Sequence, residues 1–279
     1  MTVTGRSAAR GTEDAARQAH DSDWADVAAR IGFVAYGVVY LTIGWLAVQL
    51  AFGNRKGQAS SSGAMRELAK QPFGHVLIWA VSIGMFLLVA ATLLEAAAGH
   101  RDEIDHGKRL RKRLASVGKA IIYTAIGLSG IKVASGSGSS GGSGQKAWTA
   151  KVMDHTGGQL LVGAAAVAII AFGAYQVYRA FTEKFADHLS AEGRTGTSGK
   201  AYLAFGTAGY IARGVAFMIV GGLVGYAAIT PDPSKSGGLD QALQKVLDQP
   251  FGPVLLVLLG AGLASYGLFM LARARHLSR

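Results

Sequence analysis

Three cationic side chains, Lys119, Lys132 and Arg213, stand within long apolar stretches of the sequence and are the first candidates for chemistry. A charge inside a membrane-spanning segment marks a functional site by default, because hydrocarbon does not solvate it. On one helix Lys119 and Lys132 would point to nearly opposite faces, so they do not predict a continuous charged pore lining. The sequence places no Asp or Glu at mid-span beside them, which disfavours a pump coupled to protons or cations.

Catalytic and metal-binding patterns are not recognisable in the sequence. The closest group of histidines runs from His100 to His106, but its spacing is not a zinc motif such as H-E-x-x-H, and Arg101 within it opposes a cation. The chain has no cysteine, which excludes disulfides, thiolate catalysis and cysteine-ligated metals. We therefore expect no enzyme activity, no metal and no cofactor.

The elements that must position these side chains are six apolar blocks of roughly 20 residues, the length that an α-helix needs to cross a bilayer. They are Ile31–Phe52, Val76–Ala98, Val117–Ala134, Leu160–Tyr178, Gly209–Thr230 and Val254–Ala272. In lipid every backbone amide must be satisfied within its own segment, and the alternation of barrel strands is not visible. The sequence therefore predicts an all-α integral membrane protein with six transmembrane helices.

The distribution of bases predicts the orientation. Most of the 28 Lys and Arg residues fall on one side if the N-terminus, the second and fourth connections and the C-terminus share that side. The positive-inside rule then places both termini in the cytoplasm of a multi-pass plasma membrane protein. The net charge of the chain is +11, and the basic run from Lys108 to Arg113 lies on that face. Anionic lipid headgroups attract such bases. We therefore expect the run to contact lipid and not to bind nucleic acid.

The six blocks are three copies of one two-helix hairpin. Lys245–Gly252 matches Lys151–Gly158, and Gln71–Gly74 supplies the same ending in the first copy. Steps of four residues return to one helix face and place two residues of each first helix on a common stripe. This seam, a pseudo-threefold feature, consists of Tyr40, Gly44, Tyr123, Gly127, Phe217 and Gly221. Small residues four apart favour close helix packing in a membrane, and an alternative is that the seam also lines a central cavity.

Two explanations stay open for the charges near the cytoplasmic side. Lys119 and Arg213 occupy equivalent positions in the repeats, one to two turns inside the inner border, where a long side chain can snorkel to the headgroups. Alternatively they form an inner vestibule that holds a phosphate or carboxylate. The residues of the inner rim that are candidates for lipid or anion contact are Lys119, Arg213, Tyr36, Glu95, Arg179 and Arg273.

Each outer connection begins with Gly and Ser and continues into a short amphipathic segment. In the third copy Leu239, Leu243 and Val246 fall on one face, while Asp240 and Gln244 fall on the other. Such a segment is expected to lie on the outer interface or to fold over the bundle as a lid.

The chain resembles a bacterial, mainly actinobacterial, membrane family that is known only as a domain of unknown function. The resemblance rests on the threefold motif of the first helices, the Gln-Pro-Phe-Gly ending, and Gly173–Phe181 followed by Lys184 and Phe185. It covers nearly everything from Ala28 to the C-terminus and implies a fold and a membrane setting. Tyr36 differs from the basic residue at the equivalent positions of the other two copies, and His-Thr-Gly-Gly replaces Gln-Pro-Phe-Gly in the second.

The expected domain organisation follows from these repeats. It comprises a cytoplasmic tail at 1–29, repeat 1 at 30–100, a basic loop at 101–112, repeat 2 at 113–185, a loop at 186–205, repeat 3 at 206–275 and a tail at 276–279. The function expected of such a chain is a non-enzymatic packing, lipid-contacting or partner-binding membrane component, with a protein partner or a second copy among the partners. The alternative is a channel or carrier for a small solute along the pseudo-threefold axis.

Overall fold

The computed structural model describes residues 23–53, 58–98, 106–136, 141–155, 157–186 and 196–276. Within those ranges the chain folds into nine α-helices and a short 3₁₀ turn at Pro233–Lys235. The helices are α1 Asp23–Ala51, α2 Ser61–Ala69, α3 Gly74–Ala98, α4 His106–Ala134, α5 Gly141–Met153, α6 Gly158–Phe181, α7 Gly196–Ile229, α8 Leu239–Leu247 and α9 Gly252–Arg275. The predicted histidine-containing loop lies mostly outside the described residues, as does most of the predicted N-terminal tail.

Six of these helices are long and apolar enough to cross a membrane. The spans are Asp26–Ala51, Gly74–Leu94, Ser116–Ala134, Gly158–Phe181, Gly199–Ile229 and Gly252–Arg275. Large apolar side chains such as Leu160, Val167 and Leu258 are exposed on their outer faces. Lipid solvates such side chains, whereas in water they would form an extensive apolar surface. The predicted all-α, six-span membrane fold is confirmed.

The three short helices α2, α5 and α8 each connect the two long helices of one hairpin at the same end of the bundle. We call this the short-helix end, and the opposite end, where α1 begins and α9 finishes, the terminal end. Hairpin 1 consists of α1 and α3, hairpin 2 of α4 and α6, and hairpin 3 of α7 and α9.

The glycine that ends each outer motif is required by a tight turn into the next long helix. A Cβ at Gly252 would collide with the backbone carbonyl of Leu247, the last residue of α8, so only glycine fits there. The residue before it takes a left-handed conformation, with φ of 59° at Phe251 and 80° at Gly157. Hairpin 2 therefore places a glycine where hairpin 3 accepts the strain of a phenylalanine.

The hairpins pack on one another in a cyclic pattern. The first helix of each hairpin lies against the second helix of another, so that α1 packs on α9, α4 on α3 and α7 on α6. The approach is closest where glycines meet. A Cβ at Gly44 would stand 2.6 Å from the carbonyl oxygen of Gly260, and a Cβ at Gly221 would stand 2.6 Å from Ile170. These three interfaces carry the pseudo-threefold arrangement.

Packing within a hairpin is not threefold. α1 packs on α3 and α7 packs on α9, but in the described residues α4 and α6 form no comparable interface. A Cβ at Gly84 would meet the Cβ of Ala35 at 2.7 Å in hairpin 1, whereas around Gly118 of hairpin 2 nothing lies within 4 Å. The ring of six helices is therefore open between α4 and α6.

The amphipathic helix α8 departs from its predicted orientation at one residue. Asp240, assigned by helical spacing to the polar face, is buried. Its Oδ1 accepts a hydrogen bond from the backbone N–H of Ala59 at 3.0 Å, and its Oδ2 accepts one from Gln244 Nε2 at 3.0 Å. Burial raises the pKa of this carboxyl group, and the hydrogen bond from Ala59 acts in the opposite direction. Asp240 thus ties hairpin 3 to the loop that follows α1.

Candidate functional site

Four tyrosines from three helices fill the middle of the bundle. We call Tyr36, Tyr40, Tyr123 and Tyr266 the tyrosine cluster, and all four are buried. Their rings meet edge to face, with centroids 4.9 Å apart for Tyr36 and Tyr123 and 4.8 Å apart for Tyr40 and Tyr266. The hydroxyl of Tyr36 donates to that of Tyr40 at 3.4 Å. Edge-to-face contacts of this kind hold the rings in a fixed arrangement.

Arg213 of α7 projects into this cluster. Only 7% of the residue is exposed, and its Nη1 donates a hydrogen bond of 2.6 Å to the hydroxyl of Tyr266. The guanidinium carbon lies 4.8 Å from the ring centroid of Tyr266 and 5.6 Å from that of Tyr40. At such distances aromatic faces attract a cation. The side chain therefore points into the bundle and not toward an interface.

The charge of Arg213 is incompletely satisfied by these neighbours. Its Nε is buried and has no hydrogen-bond partner. No carboxylate whose side chain is described forms an ion pair with it. Tyrosine hydroxyls and ring faces stabilise a guanidinium, but they contribute no negative charge. A buried cation without an anionic partner is costly, and such groups in membrane proteins commonly mark a ligand site.

Arg179 and Arg273 form a second, shallower layer of cations toward the terminal end. The guanidinium of Arg179 lies 5.0 Å from the ring centroid of Tyr210, and that of Arg273 lies 4.3 Å from the ring centroid of Phe33. The two contacts are equivalent in the repeats, because Arg179 corresponds to Arg273 and Tyr210 corresponds to Phe33. Tyr210 precedes Arg213 by three residues, about 4.5 Å along the helix, so Arg213 lies roughly one turn deeper than the Arg179 layer.

The remaining residues of the predicted inner rim are not brought together at one surface. Tyr36 is fully buried in the tyrosine cluster and offers no surface to a headgroup. Lys119 is partly buried and lies within electrostatic range of Tyr210. The side chain of Glu95 lies outside the described residues. Of the predicted rim residues, the structure therefore brings Tyr36 and Arg213 together, with the guanidinium carbon 5.9 Å from the ring centroid.

The residues of the predicted seam fall into two roles. Gly44, Gly127 and Gly221 each lie against the second helix of another hairpin, where Gly127 faces Phe86. Tyr40 and Tyr123 belong instead to the tyrosine cluster on the axis. Phe217, which is equivalent to them in the third repeat, contacts Phe172 with ring centroids 5.2 Å apart and lies beside Arg213.

A crevice of about 360 Å³ separates α4 from α7. Ile121, Ile122 and Ala125 of α4 form one wall, and Ala216, Phe217 and Val220 of α7 form the other. Arg213 lines the crevice nearest the terminal end, and Leu239 of α8 closes it at the short-helix end. Ile121 and Ala125 are exposed, so the crevice opens sideways toward lipid. It lies next to the gap between α4 and α6.

Two residues of the second helices that contact Arg213 were not predicted from the sequence. Tyr266 and Phe172 both contact Arg213, and they stand at equivalent positions of the third and second repeats. The signal was an aromatic residue at the same distance after the turn glycine in two copies, but Leu88 occupies that position in the first. The crevice walls carried no signal, because apolar residues on a transmembrane helix do not reveal whether they face protein, lipid or a cavity.

The comparisons with known proteins agree with this threefold architecture. Domain of Unknown Function (DUF1206) matches the chain three times, at residues 31–99, 114–183 and 208–276. The chain belongs to this family. Each match covers one hairpin, including the second, whose two helices stand apart.

The chain is similar to a protein of Bacillus subtilis strain 168 named Uncharacterized protein YxxB, with 29% identity over 253 residues. The alignment covers 90% of each chain. No solved structure matches the DUF1206 chain. The chain has the six membrane-spanning helices expected from the resemblance, while the actinobacterial origin stays a prediction.

Proposed function

We propose that this DUF1206 protein is a non-enzymatic component of the plasma membrane that acts by contact with lipid and does not conduct solute along its axis. The observation that carries the proposal is the combination of a filled axis and a lateral crevice. The tyrosine cluster occupies the place where three repeats would otherwise surround a pathway. The described crevice opens toward the bilayer instead.

The packing of the axis supports this choice over a channel or carrier. Tyr36, Met85 and Ile43 are almost completely buried within the same core. A conduction pathway needs water or polar groups in succession along its length. In the described part of the chain the rings of the tyrosine cluster instead pack edge to face across the axis, with Met85 and Ile43 in the same core and Arg213 as the buried cation.

The orientation of the chain is part of the proposal. Most Lys and Arg residues fall at the terminal end if the loops between hairpins and both termini share it. We infer that this end is cytoplasmic. The cations Arg179, Arg273 and Lys119 then lie toward the inner leaflet, where anionic lipids attract bases at about 1 kcal/mol each. Contact with a second copy or another membrane protein through the exposed apolar faces belongs to the same class of function.

The proposal is tested by flux in proteoliposomes. Purified full-length protein is reconstituted, and the release of entrapped potassium, chloride, phosphate and glycerol is compared with that of protein-free vesicles. We expect no increase for the wild type. We expect a measurable leak for Tyr36→Ala, because this substitution removes the most central ring of the cluster.

The control is Tyr226→Ala, which removes an exposed tyrosine from the same fold. Release of any of these solutes by the wild type, reduced in Arg213→Gln and unchanged in Tyr226→Ala, would replace the proposal with the channel or carrier alternative. Enzyme activity is tested separately, by measuring hydrolysis of lipid extracts. We expect any hydrolysis to disappear as the protein is purified further.

A further inference from the structure

The crevice between α4 and α7 is apolar along both walls and charged at one end. Arg213 is the charged side chain among the residues that line it, and Ser61 and Ser129 are the small polar ones. From Arg213 to Val220 the wall of α7 extends about 10 Å toward the short-helix end. The crevice therefore has the polarity of an amphiphile, with one end suited to a charge and the rest suited to hydrocarbon.

The second observation is the unsatisfied arginine itself. Arg213 is more than nine-tenths buried, its Nε has no partner, and its described hydrogen bond is to the neutral hydroxyl of Tyr266. A guanidinium presents donors in a fork that matches the two oxygens of a carboxylate or phosphate. An anion in the crevice would supply the missing charge and acceptors.

We propose that the crevice binds an anionic amphiphile, with its carboxylate or phosphate on Arg213 and an acyl chain between α4 and α7. The inference rests on the proposed lipid-contacting function and adds the class of ligand and its site. The volume of about 360 Å³ is in the lower part of the range of small-molecule sites, which suits one chain.

The direction of the crevice agrees with such a ligand. In the inferred topology Arg213 lies in the cytoplasmic half of the bilayer, and the apolar walls run from it toward the membrane centre. A lipid of the inner leaflet has the same orientation, with its anionic group toward the cytoplasm. The opening along Ile121 and Ala125 lets a ligand enter sideways from the bilayer.

A larger groove on the same molecule provides the internal comparison. It measures about 580 Å³ and lies between α7 and α9, with Ala261 and Leu258 among its lining residues. Its lining includes Ser265 but no charged residue. This groove offers hydrocarbon contact without selection for an anion.

The test measures retention of defined lipids by the purified full-length protein with native mass spectrometry. The probes are oleate, phosphatidylglycerol, the zwitterionic phosphatidylethanolamine and inorganic phosphate, added separately after delipidation. We expect oleate or phosphatidylglycerol to bind in preference to phosphatidylethanolamine. Arg213→Gln should weaken that binding about tenfold or more, because hydrogen bonds to charged groups are the strongest of their kind. Preference for oleate identifies a free carboxylate, and preference for phosphatidylglycerol identifies a phospholipid headgroup.

Three further variants keep the test decisive if Arg213→Gln does not fold. Ala125→Phe fills the crevice and leaves Arg213 in place, and it should abolish the anionic preference. Its matched control, Ala261→Phe, fills the larger groove and should leave the preference unchanged. Arg275→Gln removes one exposed charge and controls for net charge.

The outcomes separate this inference from the proposed function. Anionic lipid retained equally by Ala125→Phe and by the wild type would overturn the crevice site but leave general lipid contact standing. Binding of inorganic phosphate alone would overturn the amphiphile. Solute flux by the wild type would overturn the proposed function. The crevice site would then be decided by the lipid-retention measurements alone.

Discussion

Hairpins 2 and 3 are copies of one sequence motif, yet hairpin 3 is closed and hairpin 2 is open. In hairpin 3 a Cβ at Gly209 would stand 2.5 Å from the Cα of Tyr266, and a Cβ at Gly262 would collide with Ala212. The repeat places Ala115 and Ala168 at the corresponding positions of hairpin 2. Ala168 is exposed, and no atom lies within 4 Å of where a Cβ would stand on Gly118.

Hairpin 2 differs from the other two hairpins at two positions, one on each of its long helices. Without a hydrophobic effect between helices in lipid, close backbone approach is the main source of their attraction. Hairpins 1 and 3 have glycine at both positions and pack, while hairpin 2 has alanine and does not. The opening that results lies beside the crevice that contains Arg213. The copy that lacks internal packing is therefore the copy that borders the candidate site.

The largest expected contrast is in cross-linking, for which the cysteine-free chain is a clean background. The pair Ala35→Cys and Gly84→Cys in hairpin 1 should cross-link in clearly higher yield, because the two Cβ atoms would stand 2.7 Å apart and the helices need to separate by only about 1 Å to reach the spacing of a disulfide. The equivalent pair in hairpin 2, Gly118 and Ala168, should remain largely unlinked. Mobility on a denaturing gel after mild oxidation measures both. Equal yields would show that hairpin 2 is closed.

The next effect is on stability. Gly262→Leu inserts a side chain where a Cβ already collides, and we expect it to lower the free energy of unfolding by about 3 kcal/mol. Gly118→Leu is the matched substitution in hairpin 2 and should change it by no more than about 0.5 kcal/mol. Thermal unfolding in nanodiscs compares the two. A large loss for Gly118→Leu would mean that α4 and α6 pack closely in the bilayer.

The smallest effect concerns the short-helix end, where hairpin 3 has Asp240 and hairpin 2 has Lys146 at the equivalent position. Burial raises the pKa of Asp240, so its contribution to stability is present below the ordinary aspartate pKa and is lost as pH rises through the raised value. Asp240→Asn should remove this dependence and raise the free energy of unfolding at neutral pH by up to about 1 kcal/mol.

Unfolding midpoints across a pH series measure the effect of Asp240→Asn. Asp248→Asn, at an exposed aspartate just after the same helix, is the control and should leave the pH profile unchanged. A decrease in stability of Asp240→Asn at neutral pH would show that the ionised carboxylate contributes favourably through its bonds to Ala59 and Gln244.

The sequence by itself determined the six spans and the three hairpins. A run of about 20 apolar residues has to be a helix in hydrocarbon, and that requirement depends only on local composition and length. The turn glycines Gly74, Gly158 and Gly252 were equally visible, because the clash that each avoids lies within a few residues along the chain. Arg213 was recognised for the same kind of reason, as a charge within an apolar run.

Only the tertiary structure decided what these elements face. Helical spacing predicted a seam, but not that Gly44 would meet α9 while Gly118 would meet nothing. The rotation of each helix about its axis directed Arg213 toward Tyr266 instead of the headgroups. These outcomes depend on contacts between residues far apart in the chain. Local pattern carries no information about them.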